Sequence, residues 1–160
     1  MPKRIHVPVV AYVALGANLG NPRLAVLEAM NAIADIDGVV LMRRSSLYGS
    51  KPVDAAGGDY VNAVVEVRTM LKAQALLEAL QDLERRAGRE RTYLNAPRTL
   101  DLDLLLFGKK EVNTVTLQLP HPRMQGRAFV LVPLAEIAPD VVHKRHLKAV
   151  ADQQIWQMED

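Results

Sequence analysis

Cysteine is absent from all 160 residues of the chain. Its absence excludes disulfide bonds, thiolate chemistry and zinc sites built from cysteine, and it fits the cytoplasmic localisation that we expect. The chain has nothing near the run of about 18 apolar residues that a membrane-spanning helix needs. The apolar stretch 7–15 merges into a Gly/Asn-rich turn rather than a cleavage site, so we also expect no signal peptide.

Aromatic residues are scarce, at 4%, and the net charge at pH 7 is only +2. Such a charge gives no argument for binding nucleic acid. Hydrophobic residues at 49% and charged residues at 24% are typical of a globular chain, and the length predicts one domain over residues 1–160. Positive charge is concentrated locally, in a cluster made of Arg85, Arg86, Arg89, Arg91 and Arg98. A solvated helix end would explain that cluster as well as a ligand site would.

Hydrophobic periodicity and turn residues predict a regular order of elements. The expected elements are a strand Val9–Leu15, a loop Gly16–Gly20, a helix from Pro22 to about Asp35 capped by Asn21, a strand Val39–Tyr48, a strand Tyr60–Thr69, a helix Ala73–Ala87, a strand Thr99–Phe107, a strand near Val112–Leu119 and a helix Phe129–Ile137. The tail from His146 is polar and is assigned no element.

The order strand-helix-strand-strand-helix-strand predicts an α+β, ferredoxin-like (βαββαβ) fold with extra C-terminal elements. In this arrangement the helices pack on one face of an antiparallel sheet. The other face would then be open, either to solvent or to a ligand.

The segment Arg98-Thr99-Leu100-Asp101-Leu102-Asp103 carries the clearest chemical signal. Two carboxylates spaced by two in a strand share a face, with Cα atoms about 6.5–7 Å apart. Carboxylates this close repel each other unless a cation lies between them, and hard oxygen ligands suit Mg²⁺. The plain alternative is an amphipathic strand with a solvated acidic edge and a core face of Leu100, Leu102, Leu104 and Leu106. Metal ions together with the neighbouring arginines would suit phosphoryl-type transfer.

The second predicted helix adds Gln81 and Glu84, which are three residues apart and share a side. Glu84 falls within the apolar arc of this helix, where a charged side chain needs a partner. It is either a partly exposed glutamate paired with an arginine or a residue placed beside a phosphate site.

Two further polar residues are candidates. Asn62 lies with Tyr60 on the polar face of its strand, and its carboxamide suits a heterocycle with an amino-amide edge, although a surface asparagine is the plainer interpretation. His121 stands between two prolines, with Arg127 and Phe129 shortly after, and could donate a hydrogen bond to a phosphate or be structural.

Taken together, the motifs resemble those of the 6-hydroxymethyl-7,8-dihydropterin pyrophosphokinase family of folate biosynthesis. The segments that carry the resemblance are Gly16-Ala17-Asn18-Leu19-Gly20, Tyr60-Val61-Asn62-Ala63, Gly88-Arg89, Pro97 through Asp103 and Pro120-His121 through Arg127. The resemblance implies a ferredoxin-like fold, ATP as co-substrate, two Mg²⁺ ions and transfer of pyrophosphate from ATP to the pterin alcohol, leaving AMP.

The resemblance also implies roles for single residues. Asp101 and Asp103 match the metal ligands, and with Arg89 and Arg98 they form the catalytic set. The nucleotide contacts are matched by Gln81, Glu84, Arg91, Arg98, Leu104, Gln118, His121 and Arg127. The pterin contacts are matched by Ser50, Lys51, Pro52, Val53, Tyr60, Asn62 and Phe129.

The expected partners are therefore ATP and the pterin, without nucleic acid or membrane, and the expected state is a monomer. A non-catalytic ferredoxin-like module that binds RNA or a small molecule is the alternative. RNA-binding sheets stack bases on exposed aromatics. The predicted strand Thr99–Phe107 presents Asp101 and Asp103 instead. These carboxylates would repel phosphates in the absence of metal.

Overall fold

The computed structural model describes residues 7–52, 58–88 and 100–159. Its helices are α1 (Pro22–Ala34), α2 (Ala73–Gly88), α3 (Ala128–Ile137) and α4 (Lys144–Ala149). Its strands are β1 (Val9–Ala17), β2 (Val39–Arg44), β3 (Tyr48–Ser50), β4 (Tyr60–Thr69), β5 (Asp101–Phe107), β6 (Val112–Asn113), β7 (Gln118–Leu119) and β8 (Ile155–Gln157). Short 3₁₀ turns cover Met124–Gly126 and Pro139–Val141.

Within the described part of the chain, six strands form one sheet in the order β5-β1-β4-β3-β8, with β2 also paired to β4. Each pairing in this sheet is antiparallel. The fold is therefore a mixed α and β structure built on an antiparallel sheet, as the order of elements predicts. β1 and β4 lie side by side near the centre of the sheet and are its two longest strands.

One face of the sheet is covered by α1 and α2. Alternate residues of β4 point into this layer, namely Val61, Ala63, Val65 and Val67, and all four are buried. They meet Met30 and Ile33 of α1 and Leu76 and Leu80 of α2. α1 begins as the sequence predicts, because the Asn21 side chain accepts a hydrogen bond from the Leu24 amide at 3.1 Å and Pro22 occupies the first turn.

The other face is not left free of helices, contrary to the prediction that helices pack on one face only. α3 lies against β4 and forms a second core with Tyr12, Ala14, Val64 and Leu105. This helix is strongly apolar on most of its surface, which is typical of an element buried between layers. Pro133 lies within it and is itself buried. The sheet is thus enclosed by helices on both faces over much of its length.

The predicted strand Val39–Tyr48 is divided into β2 and β3. The division lies at Ser45, whose amide donates to the Val64 carbonyl while its hydroxyl accepts the Val64 amide hydrogen, both at 2.9 Å. A side-chain oxygen therefore replaces a main-chain carbonyl, and the regular ladder stops. β2 pairs with the second half of β4 and β3 with its first three residues.

The predicted single strand Val112–Leu119 is wrong, because this segment is a small hairpin. β6 pairs with β7, and the turn is closed by Thr114, whose amide donates to the Leu117 carbonyl at 2.9 Å. The Thr114 hydroxyl also accepts the Leu117 amide hydrogen at 3.0 Å. Threonine can replace backbone partners in this way, and the β propensity of the segment hides the turn.

The apolar alternation predicted for the fourth strand also changes along β5. Leu100, Leu102 and Leu104 lie in the α1/α2 core as predicted. The pairing with β1 then shifts by one residue, with Tyr12 opposite Leu106 and Val13 opposite Leu104. The bulge leaves Leu105 as the extra residue and places Leu106 against the second core, so its predicted face was wrong.

The tail contains two elements that the sequence did not predict, α4 and β8. β8 pairs with β3 and so becomes the last strand of the sheet. None of the helices within residues 7–52, 58–88 and 100–159 combines the length and the apolarity required to cross a membrane.

Candidate active site

The second face of the sheet is open where α3 begins. There, β1, β3, β4 and β5 surround a cavity of about 430 Å³, here called the sheet-face cavity. It is lined by Ala14, Leu15, Gly16, Ser50, Lys51, Pro52, Tyr60, Asn62, Asp101, Asp103, Arg127 and Phe129. Polar and apolar groups converge in a space of a size typical for a small-molecule site.

Gly16 forms the floor of this cavity. The sequence predicts a loop from Gly16, but β1 continues to Ala17 and pairs Gly16 with Asn62 on one side and Asp101 on the other. A side chain here would meet the Asn62 amide nitrogen, since an added Cβ would lie 3.1 Å from it. Residues on this face of β1 become smaller toward the cavity, from Tyr12 through Ala14 to Gly16, which leaves the space open.

Asp101 and Asp103 lie on the same side of β5, as their spacing predicts. Their partners in β1 are Gly16 and Ala14, neither of which has a bulky side chain. Leu102, between them, is buried in the opposite core. The two carboxylates therefore both lie above small residues at the surface of the cavity, where a ligand or ion can reach them.

A second cavity, of about 440 Å³, adjoins the first and shares both aspartates. This cavity, here called the helix-side cavity, lies between α2, β5 and the β6–β7 hairpin. It is lined by Leu77, Gln81, Glu84, Asp101, Leu102, Asp103, Leu104, Val115, Thr116, Leu117, Gln118, His121 and Pro122. The carboxylate pair thus stands at the border between two sites of similar size.

Glu84 has a structural partner as well as a place in the helix-side cavity. Its carboxylate accepts the Leu102 amide hydrogen at 2.9 Å. Neither explanation offered by the sequence included this bond. Since Leu102 lies between the two aspartates, the carboxylate of Glu84 fixes the backbone that carries both.

His121 lies on the same border and is half-buried, with its Nε2 3.9 Å from an Asp103 oxygen. Burial lowers the pKa of His121 below its ordinary value of 6.5; Asp103 opposes this effect, while Arg127 and Arg123 add to it. The Nδ1 atom accepts the Arg123 amide hydrogen at 3.2 Å. A neutral ring with Nδ1 as acceptor carries its proton on Nε2, so the side chain can donate into the site.

Asn62 is buried in the wall of the sheet-face cavity, and so is Ser50 beside it. The Ser50 hydroxyl donates to the Asn62 Oδ1 atom at 2.6 Å. This bond fixes the orientation of the Asn62 carboxamide. Its oxygen accepts the hydrogen bond from Ser50, and its amide nitrogen lies near Gly16. A fixed, buried amide is suited to reading the polar edge of a flat heterocycle.

Arg127 and Phe129 close the opposite side of the sheet-face cavity. The Arg127 guanidinium lies 5.4 Å from the centre of the Phe129 ring. This contact holds a cation beside an aromatic ring at the edge of the cavity. Tyr60 lies on the other wall.

The described residues hold no group of three or more His, Cys, Asp or Glu that could bind a metal ion. The donor set at the border is two aspartates. This set fits Mg²⁺, which is usually held by one or two carboxylates while substrate phosphates and waters complete its coordination. It does not fit a metal that needs a closed cage of protein ligands.

The structure places every described residue of the predicted site in one of the two cavities. Ser50, Lys51, Pro52, Tyr60, Asn62, Arg127 and Phe129 line the sheet-face cavity. Gln81, Glu84, Leu104, Gln118 and His121 line the helix-side cavity. Val53, Arg89, Arg91 and Arg98 lie outside the described residues, and their roles stay predictions.

Several lining residues were not predicted from the sequence. In the helix-side cavity they include Leu77, Thr116, Leu117 and Pro122. These carry no charge or catalytic group, so no signal distinguished them from ordinary surface or core. The sequence analysis identified Gly16 only as a turn residue. The decreasing side-chain size along β1, from Tyr12 to Ala14 to Gly16, is the signal that could have shown its place in the cavity.

Comparison with protein families matches residues 12–139 to the model of 7,8-dihydro-6-hydroxymethylpterin-pyrophosphokinase. The chain is also similar to 2-amino-4-hydroxy-6-hydroxymethyldihydropteridine pyrophosphokinases. It is 43% identical to that of Haemophilus influenzae over 84% of each chain. It is 45% identical to that of Pseudomonas aeruginosa over 81% of each chain. With that of Bacillus subtilis the identity is 38%, over 92% of this chain and 90% of the relative.

Solved structures of similar fold include the HPPK-DHPS of Plasmodium falciparum. A triple mutant of that protein superimposes with a TM-score of 0.66 at 13% identity over 89% of this chain. The wild type, crystallised with pterin and p-hydroxybenzoate, gives a TM-score of 0.62 at 12% identity over 89% of this chain. The present chain spans 42% of those longer chains. At this identity the likeness shows the fold alone.

Proposed function

This chain belongs to the 7,8-dihydro-6-hydroxymethylpterin-pyrophosphokinase family, and from that premise we propose that it transfers pyrophosphate from ATP to 6-hydroxymethyl-7,8-dihydropterin in folate biosynthesis. The observation that carries the proposal is the carboxylate pair shared by two adjoining cavities. A two-substrate transfer needs two sites that meet at the reacting atoms, and Asp101 and Asp103 stand where these two meet.

The pterin is proposed to occupy the sheet-face cavity. Its amino-amide edge suits the Asn62 carboxamide, which the Ser50 hydroxyl already orients. Tyr60 and Phe129 provide aromatic walls for a flat ring. Ser50, Lys51 and Pro52 form the rim on the β3 side.

ATP is proposed to occupy the helix-side cavity. The β6–β7 hairpin and Leu104 provide backbone and apolar surface suited to the base, with Gln118 among them. Gln81 and Glu84 extend from α2 toward the same space. The proton on His121 Nε2 points toward the border, where it can donate to a phosphate oxygen.

Two Mg²⁺ ions are proposed at the border, where Asp101 and Asp103 would hold them and phosphate oxygens would complete their coordination. When bound, such ions neutralise phosphate charge and lower the pKa of the attacking alcohol. The Leu102 bond to Glu84 keeps the two aspartates in register for this purpose. The loop residues Arg89, Arg91 and Arg98 are proposed to add positive charge in the transition state.

In the transfer, the pterin hydroxyl oxygen forms a bond to the β-phosphorus of ATP. The bond from that phosphorus to the oxygen bridging the α-phosphate breaks, and the oxygen leaves with AMP. The hydroxyl proton is released. The chain contributes position: the buried Asn62 and the aromatic walls align the alcohol, and His121 and Arg127 donate toward phosphate oxygens.

We also propose that the core of the fold is ferredoxin-like. The supporting observation is the strand order β5-β1-β4-β2, in which β1 and β4 are central and each helix connects strands that lie one apart. The RNA-binding alternative is not favoured, because α3 covers much of the sheet face on which such modules stack bases.

The test is a coupled assay for AMP release from ATP, run with and without the pterin alcohol. Release that requires both the pterin and Mg²⁺, and that stops on addition of EDTA, is the expected result. Release without pterin would indicate a simple hydrolase. A chain that binds the pterin by calorimetry but releases no AMP under any of these conditions would be a binding module.

A further inference from the structure

The C-terminal strand β8 lies beside the proposed pterin site although it contributes no residue to the cavity. It pairs with β3 in the register Tyr48 to Gln157, Gly49 to Trp156 and Ser50 to Ile155. Ser50 is also the first residue of the rim segment 50–52, which lines the sheet-face cavity. The tail therefore supports the backbone from which the rim begins.

Gly49 and Trp156 are paired across these two strands and lie in close contact. A Cβ at Gly49 would overlap with the Trp156 indole ring, so the ring packs directly on the Gly49 backbone. Only glycine permits this approach. Trp156 is 40% exposed, although it is the sole tryptophan in the chain and has a large apolar surface. Burial alone does not explain its place.

Lys51 connects this ring to the rim. Its ammonium nitrogen lies 5.9 Å from the centre of the Trp156 ring and 3.3 Å from an Asp59 oxygen. A cation over an aromatic face is attracted by the ring, and the ion pair limits the directions open to the side chain. Lys51 is thus held from two sides at the entrance to the cavity.

The tail is also fixed to the rest of the protein by the three residues that follow Trp156. The Met158 backbone amide donates to the Leu47 carbonyl at 2.8 Å, and the side-chain Nε2 of Gln157 donates to the Ser46 hydroxyl at 3.1 Å. Arg23 of α1 donates to the Glu159 carbonyl at 2.9 Å. The indole therefore has a fixed support and can restrain the rim.

We propose that Trp156 is a positioning residue that holds the rim segment 50–52 in the conformation competent for binding the pterin. This proposal rests on the proposed function, because the proposed function assigns the pterin to the sheet-face cavity. Trp156 acts through Gly49 and Lys51 and touches neither substrate. Its removal should weaken the pterin complex and leave the ATP site unaffected, because that site lies beside β5, at the opposite edge of the sheet from β8.

The experiment compares Trp156→Ala, Trp156→Phe and the control Gln154→Ala, an exposed residue of the same tail that precedes β8. We expect Trp156→Ala to raise the KM for the pterin by about threefold to tenfold, the size expected for a lost cation–π and packing contact. The KM for ATP and kcat should stay within twofold. Trp156→Phe should restore most of the pterin affinity, and Gln154→Ala should resemble wild type.

Gly49→Ala provides an independent route to the same contact. The added methyl displaces the ring, so this variant should also raise the pterin KM. In the double variant with Trp156→Ala the overlap is gone, and the two effects should fail to add. Full additivity would overturn the proposal, and so would an equal rise in the KM values for pterin and ATP.

Calorimetry with the pterin alone separates this proposal from the proposed function. If wild type binds the pterin and releases AMP, and Trp156→Ala behaves in the same way, the role of Trp156 is refuted. The assignment as an enzyme is then unaffected. If wild type releases no AMP, the enzyme assignment fails. The weaker pterin binding of Trp156→Ala would then still support positioning of the rim.

Discussion

The second face of the sheet has two parts that use the same strands for opposite purposes. In the part covered by α3, β1 and β4 present Tyr12, Ala14 and Val64 to an apolar core. A few residues further along the same strands, Gly16 and Asn62 face the sheet-face cavity. The change from packing to binding therefore occurs within single strands, at the point where α3 begins.

The difference shows that the site depends on where the covering helix α3 begins. In the covered part, large apolar side chains are favourable because they fill the space beneath α3, which excludes water. The open part needs space and polar groups that remain satisfied without a ligand, as Asn62 is by Ser50. The predictions below test whether these parts separate stability from activity.

The largest effect is expected in the open part, at the carboxylate pair. Asp101→Ala or Asp103→Ala should lower kcat by about 10³-fold or more, since a lost ion ligand removes several kcal/mol of transition-state stabilisation. The midpoint of thermal unfolding should hardly change. Turnover is measured as pterin-dependent AMP release, with Asp140→Asn as the exposed control. Near-normal turnover in either variant would refute the metal assignment.

In the covered part, Leu134→Ala should cost about 2–5 kcal/mol in the free energy of unfolding, because a buried leucine leaves a cavity. Leu80→Ala on the other face should cost a similar amount, as both side chains are fully buried. Urea unfolding gives both values, with the exposed Leu24→Ala as control. A negligible cost for Leu134 alone would show that α3 forms no real core.

Asn62→Leu tests the same comparison because it places an apolar residue, of the kind found in the covered part, in the open part. The loss of the amide and the unpaired Ser50 hydroxyl should raise the KM for the pterin by about 10- to 100-fold. The KM for ATP should stay the same. Steady-state kinetics with each substrate varied in turn measures both, and an equal rise in both would contradict the assignment of this cavity to the pterin.

Glu84 tests whether the carboxylate pair depends on its backbone support. Glu84→Ala removes the acceptor of the Leu102 amide and should lower kcat/KM by about tenfold, as one lost charged hydrogen bond would. Glu84→Gln keeps an acceptor oxygen and should remain close to wild type. If the glutamine variant is as poor as the alanine variant, charge rather than the bond to Leu102 determines the effect.

The smallest effect is expected at Tyr12, in the covered part. Burial, together with its hydrogen bond to Glu66, raises the pKa of Tyr12 from 10.0 to about 12. A raised pKa stabilises the fold below pH 10, and this contribution is lost as the pH rises toward about 12. Tyr12→Phe should cost about 1 kcal/mol near neutral pH. The difference from wild type should shrink across that window, and turnover should not change.

The unfolding free energy of both proteins, measured by urea titration at several pH values, checks this expectation. A difference that grows with pH would contradict the direction of the shift.

Local patterns predicted much of the fold, and the reasons are visible in single residues. Asn21 and Pro22 set the start of α1, and the alternation in β4 assigned Val61 and Val65 to the core. Two of the failures have a common cause. Ser45 and Thr114 replace main-chain partners with their hydroxyls, which interrupts strands in a segment of ordinary strand composition.

The site was predicted in a similar way, by residue type and spacing within short segments. The spacing of Asp101 and Asp103 placed both on one face without any knowledge of the fold. What such spacing could not indicate is the neighbour of each group: that Glu84 would hold Leu102, or that Gly16 would lie between Asn62 and Asp101. These pairs are distant in sequence and meet only through the register of the sheet.

By itself the sequence determined which groups are candidates for chemistry in this protein, because the identity and the spacing of Asp101, Asp103, Asn62 and His121 are local properties of the chain. The tertiary structure decided where that chemistry is accessible. α3 covers one part of the second sheet face and leaves the other part open, and β8 supports the rim beside it. Packing between distant segments determines which polar residues are left facing a cavity, and no local pattern records that choice.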